Sequence, residues 1–224
     1  MAALLVSVLP LAVGAAISPT LLALQLLVLS GSTKPLARAW ALTAGAGLAL
    51  GAFSVLGLTV LDHLHPAEHE HHSLRGAVIM FVAAALMAAL AARSLLRRPT
   101  PGEEQKTRTT GRLEDAPTFW FVGVGAIGMT VNFSTLVLFL PALHEITRSS
   151  VALVGKGIAF AILFLVTLSP VLIPVCLVTV SGGRAEPILD ATHGFVARNS
   201  RRIGIIVEVA FAGYLAWKGL AELP

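Results

Sequence analysis

The stretch Val13-Gly-Ala-Ala-Ile-Ser-Pro-Thr20 places a proline and two hydroxyl side chains inside a long apolar run. Pro19 has no backbone N–H, and its ring clashes with the preceding turn, so a helix through this stretch must kink or break. In the core of a bilayer the freed carbonyl has no bulk water to accept from, so protein, trapped water or ligand must satisfy it. The stretch therefore predicts a broken membrane helix with a polar interior.

A loose copy of this stretch recurs 114 residues further along the chain. The shift pairs small or polar residues with one another: Gly14 with Gly128, Ser18 with Asn132, and Thr20 with Ser134. The leucine-rich run that follows the first copy also has a counterpart after the second. Matched interrupted segments in two halves are the best sequence pointer to the binding site of a transporter built from repeats.

The composition excludes an ordinary soluble domain. Of 224 residues, 56% are hydrophobic and 12% are charged, whereas charged residues make up about 25% of soluble domains. The run from Met1 to Thr33 has no ionisable side chain, and a run above about 18 apolar residues indicates a membrane span. We expect a multi-pass protein of the cell (plasma) membrane.

Six transmembrane helices are predicted, at residues 4–30, 36–61, 75–96, 118–142, 150–180 and 203–221. They divide into a first three-helix repeat over 1–96 and a second over 118–224, joined by a flexible cytoplasmic linker at 97–117 that is polar and contains Pro and Gly. Because three spans is an odd number, homologous halves must lie in opposite orientations. The predicted fold is an all-α membrane protein with two inverted repeats.

The basic residues orient these spans. With both termini outside, twelve Lys and Arg residues fall on the inside and four on the outside, as the positive-inside rule requires. This distribution accounts for the pI of about 9.8 without a nucleic-acid partner. Residues 184–199 are predicted as a short amphipathic helix on the membrane surface, separate from the last span.

The predicted substrate-binding residues surround the two breaks. They are Gly14, Ser18, Pro19, Thr20, Gln25, Gly128, Asn132 and Ser134. Helix ends that open at such breaks carry partial charges and can bind ions or carboxylates. The alternative is an ordinary kink held by hydrogen bonds between helices.

Two charged residues, Glu208 and Lys156, lie at least five residues from either end of their predicted spans. Glu208 and Lys156 are costly in the membrane unless they are paired, solvated or neutralised, so we predict that they couple transport to protons. The alternative is that Lys156 extends outward and Glu208 meets interfacial arginines.

A histidine-rich segment in the first outer loop is a candidate metal site. Its imidazoles belong to His63, His65, His69, His71 and His72, and this density of ligands can hold a divalent transition metal. A solvated linker or a pH-responsive patch is the alternative. The sequence lacks phosphate-binding loops and hydrolase motifs, so neither an enzyme nor a cofactor is expected, and a lone cysteine, Cys176, excludes a dithiol relay.

Short motifs are spread over both halves of the chain. They are Gly14-Ala-Ala-Ile-Ser-Pro19 before its leucine-rich run, Asn132 at the second break, Val196-Ala-Arg-Asn-Ser-Arg-Arg-Ile203, and Ala216-Trp-Lys-Gly-Leu220. With these motifs the chain resembles the GAP/Sap (sulfolipid/glycopeptidolipid-addressing) family, within the LysE-type exporter superfamily. That family often has Asn-Pro-Lys at the second break, where this chain has Asn132, Phe133 and Ser134. The resemblance implies export of a lipid or small solute.

The predicted function is an integral membrane transporter, or transport accessory, that moves an envelope lipid or small amphiphile outward. Two alternatives remain open: a nickel- or cobalt-type metal exporter with a histidine-rich loop, and a scaffold for a lipid synthesis or export complex. Expected partners are membrane lipids, the lipid or solute substrate, and envelope lipid-export proteins. A small-residue face on the second span, Ala37, Ala41 and Gly45, predicts close helix packing within the protomer or in a homo-oligomer.

Overall fold

The computed structural model describes residues 1–63, 74–96, 116–181 and 186–221. Over these ranges the chain is helical and has no strand. The helices are α1 (Ala2–Ala16), α2 (Pro19–Leu29), α3 (Pro35–His63), α4 (Leu74–Leu96), α5 (Trp120–Val131), α6 (Phe133–Arg148), α7 (Leu153–Ser181) and α8 (Glu186–Ala221). Most of the predicted linker, residues 97–115, lies outside the described part.

Four stretches are long and apolar enough to cross a membrane singly: Pro35–Thr59, Val78–Leu96, Leu153–Ser181 and Arg198–Ala221. The remaining helices form two bent pairs, α1–α2 with a bend of 53° and α5–α6 with a bend of 72°. The described residues therefore hold four candidate spans, or six if each bent pair is one broken span. An all-helical membrane protein is confirmed at this level.

Both predicted helix breaks are present, and the first follows from local chemistry. Ser18 is the N-cap of α2, and its Oγ accepts a hydrogen bond of 3.3 Å from the backbone N–H of Leu21. Pro19 occupies the first turn of α2, where a missing N–H costs nothing because that donor would be unpaired anyway. Ser-Pro thus ends one helix and begins the next.

The second break occurs without a proline. Asn132 ends α5 and precedes α6 with φ −81° and ψ 72°, outside the helical region. Asn side chains compete with the backbone for hydrogen bonds and so favour helix ends over interiors. The polar contacts of this side chain with the first break are described below.

Close glycine contacts fix the crossing of α3 and α5. A Cβ atom on Gly45 would lie 1.9 Å from the carbonyl oxygen of Val122, and one on Gly125 would lie 2.0 Å from that of Leu42. Only glycine allows two backbones to approach so closely. The small-residue face predicted on the second span therefore packs, at Gly45, within the protomer.

Helices α4 and α8 pack in antiparallel directions. Gly219, near the end of α8, lies against Met80 and Phe81 near the start of α4. Ser94, near the end of α4, hydrogen-bonds to Glu208 in the middle of α8. The C-terminal end of α4 and the C-terminal end of α8 therefore lie at opposite ends of this helix pair.

The outer surface of the helices is strongly apolar. Leu48, Ile127, Leu153 and Val180 are each more than 65% exposed. Such side chains suit contact with hydrocarbon, since lipid tails are as apolar as leucine. The buried core, which includes Leu42, is likewise apolar.

The prediction of a separate amphipathic helix over 184–199 is wrong for the described part of that segment. Helix α8 runs without interruption from Glu186 to Ala221. No proline follows Pro187 in this helix, and the glycines on either side of residue 199, Gly194 and Gly204, each cost only about 1 kcal/mol relative to alanine, which packing can offset. Helix α7 is also continuous, with Pro170 and Pro174 inside it.

Candidate functional site

A chain of hydrogen bonds joins the two helix breaks. The amide nitrogen Nδ2 of Asn132 donates to Ser18 Oγ at 2.6 Å and to Thr135 Oγ1 at 2.7 Å. The hydroxyl of Thr135 then donates to the carbonyl oxygen of Ala15 at 2.8 Å, and Ser134 Oγ donates to Asn132 Oδ1 at 3.1 Å. The residues matched by the 114-residue shift, Ser18 and Asn132, are thus in direct contact.

Four helix ends converge at this network. Helices α1 and α5 end there, while α2 and α6 begin there. Helix N-termini carry unpaired N–H groups and a partial positive charge, and C-termini carry unpaired carbonyls and a partial negative charge. The junction can therefore interact with ligand groups of either polarity.

A cavity of about 240 Å³ lies beside this junction. Its described lining comes from the α1–α2 break, the α5–α6 break, the end of α4 and the middle of α8. The lining residues are Ile17, Ser18, Pro19, Thr20, Ser94, Asn132, Ser134, Ser200, Gly204, Val207 and Glu208. Six of these eleven residues are Ser, Thr or Asn, which offer hydroxyl and amide groups to a ligand.

Glu208 is the one ionisable residue in the described lining of the cavity. The hydroxyl of Ser94 donates a hydrogen bond to its carboxylate. The second oxygen, Oε2, is shielded from solvent and has no hydrogen-bond partner among the described residues. A buried carboxylate oxygen without a partner is costly, so it is available to a proton, a cation or a donor group of a ligand.

The structure brings together five of the eight predicted substrate-binding residues. Ser18, Pro19, Thr20, Asn132 and Ser134 all line the cavity. They come from two segments that are far apart in sequence and meet because α2 and α6 both begin at this level.

Gln25 has a different place. Its side chain is fully buried, and Nε2 donates to the carbonyl oxygen of Ala39 at 3.4 Å and to Thr43 Oγ1 at 3.3 Å. Thr43 in turn donates to the carbonyl oxygen of Val171 at 3.4 Å. Gln25 therefore links α2 to α3 and, through Thr43, to α7, and is not among the cavity-lining residues.

The two predicted glycines, Gly14 and Gly128, pack against side chains of neighbouring helices near the breaks. Gly14 faces the ring of Phe211, and a Cβ atom there would lie 2.3 Å from Phe211 Cζ. A Cβ atom on Gly128 would lie 3.2 Å from Leu21 Cδ2 and 3.4 Å from Leu24 Cδ2. Both glycines pack helices together and lie outside the described lining.

Lys156 is separate from the cavity. Its Nζ donates to the carbonyl oxygen of Thr147 at 2.7 Å. Thr147 lies in the last turn of α6, where carbonyls lack helical partners, so the ammonium group caps that helix. Of the two predicted proton-coupling residues, Glu208 lines the described cavity and Lys156 does not.

The histidine-rich segment falls mostly outside the described residues. His63 is the last residue of α3, and His65, His69, His71 and His72 lie beyond the described ranges. Within those ranges no group of three or more His, Cys, Asp or Glu residues is placed to hold a metal ion.

Sequence reasoning missed the cavity wall formed by α4 and α8. Ser200, Gly204 and Glu208 recur at four-residue intervals, so they share one face of α8. That spacing of small residues before an intramembrane carboxylate was a usable signal. Ser94 carries no such signal, because its place depends on how α4 packs against α8.

Comparison with known proteins gives one match. The family model described as "Sap, sulfolipid-1-addressing protein" matches residues 8–221. No match was found among curated proteins or solved structures. The matched region includes both helix breaks and every residue of the described cavity lining. The chain therefore belongs to the Sap, sulfolipid-1-addressing protein family.

Proposed function

We propose that this protein is a transporter, or a transport accessory, that moves an envelope lipid or small amphiphile outward across the cell membrane. The observation that carries the proposal is the polar cavity at the junction of two broken helices, with the Glu208 carboxylate in its wall. Broken helices that meet near the midplane form the substrate sites of many secondary transporters. Family membership agrees with a role in lipid addressing or transport.

The size of the cavity favours recognition of a headgroup. A volume of 240 Å³ is equivalent to about eight water molecules in the liquid. Acyl chains do not fit in such a volume and would remain in the bilayer. Hydroxyl and amide groups from Ser18, Asn132 and Ser134 would bind the polar end of the lipid.

We further propose six spans in two inverted halves, with both termini outside, and a place in the LysE-type exporter superfamily. The packing supports this arrangement, because the 114-residue shift relates α3 to α7 and α1 to the region of α5. Helix α3 packs on α5 as α1 packs on α7, and α2 packs on α8 as α4 packs on α6. The halves differ in detail, since α1 packs along α6 more extensively than α2 packs along α5.

Glu208 is the proposed proton carrier. It combines a membrane-embedded position with an unpartnered oxygen and a neighbouring hydroxyl from Ser94. Ionisable residues inside membranes commonly form proton relays. Protonation of Glu208 would remove a charge from the cavity. It would therefore change the free energy with which the cavity binds the lipid headgroup.

The test compares surface lipids of cells that lack the protein, cells that express it and cells that express Glu208→Gln. We expect one lipid class to disappear from the surface extract without the protein, and to remain absent with Glu208→Gln at normal protein levels. Thr130→Ala is the control, since its exposed hydroxyl bonds to Ala126 within α5. Unchanged surface lipids without the protein would contradict the transport proposal, and full activity of Glu208→Gln would remove this residue from the mechanism.

A further inference from the structure

An ion pair joins two of the helices that line the cavity, α6 and α8, at a point well away from the cavity itself. Lys218 Nζ in α8 lies 3.1 Å from Glu145 Oε1 in α6, and the side chains are 18% and 14% exposed. Both of these charged atoms are shielded from solvent. Separation of the two helices at this point would leave both shielded charges without a partner, which is costly unless water reaches them.

Helix geometry gives the distance from the cavity. Glu208 and Lys218 are ten residues apart on α8, which is about 15 Å at 1.5 Å per residue. Asn132 and Glu145 are thirteen positions apart along α6, which is about 20 Å on the same rise. The ion pair therefore lies about 15–20 Å from the cavity along the same two helices.

The ion pair and the cavity belong to opposite ends of the helix bundle. The cavity includes Ser94 at the end of α4, next to the linker. Lys218 adjoins Gly219, which packs against Met80 and Phe81 near the start of α4. In the proposed topology the cavity is nearer the cytoplasmic side and the ion pair is on the outer side.

An apolar layer lies between them. On α8 it consists of Phe211, whose ring fills the notch left by Gly14, and Leu215, which is fully buried. Tyr214 lies close enough to Glu145 to interact with it electrostatically. A route from the cavity to the outer side along α6 and α8 must pass this layer and then the ion pair.

We infer that the Glu145–Lys218 ion pair is the outer gate of the transport pathway. Closing of the gate brings α6 and α8 together at the outer end, and opening separates the two charges and hydrates them. This inference rests on the proposed transport function, but it concerns residues that do not line the cavity. It predicts that loss of the pair exposes the cavity to the outer side.

The test uses a cysteine reporter in the cavity wall. The single native cysteine is replaced by Cys176→Ala, and Gly204→Cys is introduced, because a Cβ atom at Gly204 meets nothing within 4 Å. A membrane-impermeant maleimide is applied from the Lys218 side of sealed vesicles. We expect Glu145→Gln with Lys218→Gln to raise the labelling rate about fivefold, the population shift that about 1 kcal/mol produces.

Two further variants make the experiment specific. Removal of one partner leaves a shielded charge unpaired and can unfold the protein. Both charges are therefore changed together, either to the neutral pair (Glu145→Gln with Lys218→Gln) or to the exchanged pair (Glu145→Lys with Lys218→Glu). The exchanged pair should restore slow labelling. Trp217→Ala is the matched control, since this neighbour of Lys218 is 73% exposed and its loss should leave the rate unchanged.

The outcomes separate the gate from the transport proposal. The gate proposal would be overturned if the folded Glu145→Gln, Lys218→Gln variant were labelled from the Lys218 side no faster than the parent. The reagent must still react from the other side in that experiment, and the conclusion would hold even if lipid export were normal. Faster labelling that is reversed by the exchanged pair supports the gate whether or not surface lipids change. Surface lipids that are the same with and without the protein would overturn the transport proposal, and the labelling rates would still decide whether the ion pair closes the cavity to the outer side.

Discussion

Asn132 donates a 2.6 Å hydrogen bond to Ser18, and the two residues occupy equivalent positions in two copies of one sequence motif. The bond joins two halves of the chain at the point where each half interrupts a helix. It therefore links the stability of the fold to the geometry of the cavity. The proposed inverted repeat would bring these residues together, because equivalent residues meet where its symmetry axis passes between the halves.

The coupling between Asn132 and Ser18 is measurable in a double-mutant cycle. Hydrogen bonds between membrane helices contribute about 0.6 kcal/mol on average and up to about 1.7 kcal/mol. We expect Asn132→Ala and Ser18→Ala to show a coupling free energy in this range when the free energy of unfolding is measured in mixed micelles. Ser18→Ala alone should cost about 1 kcal/mol because α2 also loses its N-cap.

The control for this cycle pairs Asn132→Ala with Thr130→Ala, whose hydroxyl bonds within its own helix. That pair should be additive. Additivity of the Asn132 and Ser18 substitutions would show that the contact contributes nothing to the junction.

The α3–α5 crossing should be the part of the fold most sensitive to added volume. Gly45→Ala and Gly125→Ala each place a methyl group about 2 Å from a backbone carbonyl oxygen, and backbone cannot move as a side chain can. Overpacking typically costs about 1–3 kcal/mol and occasionally more, so we expect at least the upper value in the free energy of unfolding.

Gly51→Ala provides the comparison on the same helix, because a Cβ atom there meets nothing within 4 Å. It should be neutral or slightly stabilising, since alanine favours the helix. Equal effects of Gly45→Ala and Gly51→Ala on unfolding would contradict the close crossing.

Much of the fold follows from features that are local in sequence. The apolar runs predict spans, and Ser18-Pro19 predicts a break because proline and an N-cap act within one turn. The break at Asn132 has no such local signal, and its prediction depended on the matched position in the first half. Continuity of α8 was missed because the basic residues near 200 resemble the edge of a span, whereas a helix can continue through them into the interface.

The candidate site was only partly predictable, because its walls depend on packing between distant helices. The sequence identifies Glu208 as an unusual charge but does not show that Ser94 donates to it. Gln25 is a polar residue in an apolar helix, which suits a ligand-binding role, yet its side chain hydrogen-bonds to Ala39 and Thr43 and is not part of the described cavity lining. The Glu145–Lys218 pair is invisible to sequence patterns, since its members lie 73 positions apart on helices whose register is set by tertiary contacts.

The contact between Gly14 and Phe211 sets the closed layer beside the cavity. Gly14→Ala forces its methyl group into the Phe211 ring, whose nearest atom would be 2.3 Å away. We expect a cost of about 1–3 kcal/mol in the free energy of unfolding. Because the obstacle is a side chain, Gly14→Ala with Phe211→Leu should recover most of that loss.

Gly213→Ala is the matched control for this rescue, since Gly213 lies two residues from Phe211 and has open space at its Cβ position. It should be neutral or stabilise the protein by up to about 1 kcal/mol, since alanine favours the helix. A Gly14→Ala variant as stable as the parent, without Phe211→Leu, would mean that the ring does not fill the notch.

The cavity should be reachable from the side of the chain that carries the linker. Ser200 lines it from α8, so Ser200→Cys in the Cys176→Ala background should react with an impermeant maleimide applied from the linker side of sealed vesicles. Thr43→Cys is the buried comparison, at 5% exposure and hydrogen-bonded to Ala39, and should react at least about tenfold more slowly, because reagent access governs the rate at matched thiolate content. Since the proposed headgroup site includes the same wall, added lipid extract from the producing cells should slow labelling at Ser200→Cys. Equal rates at the two positions would show that the cavity is closed to that side.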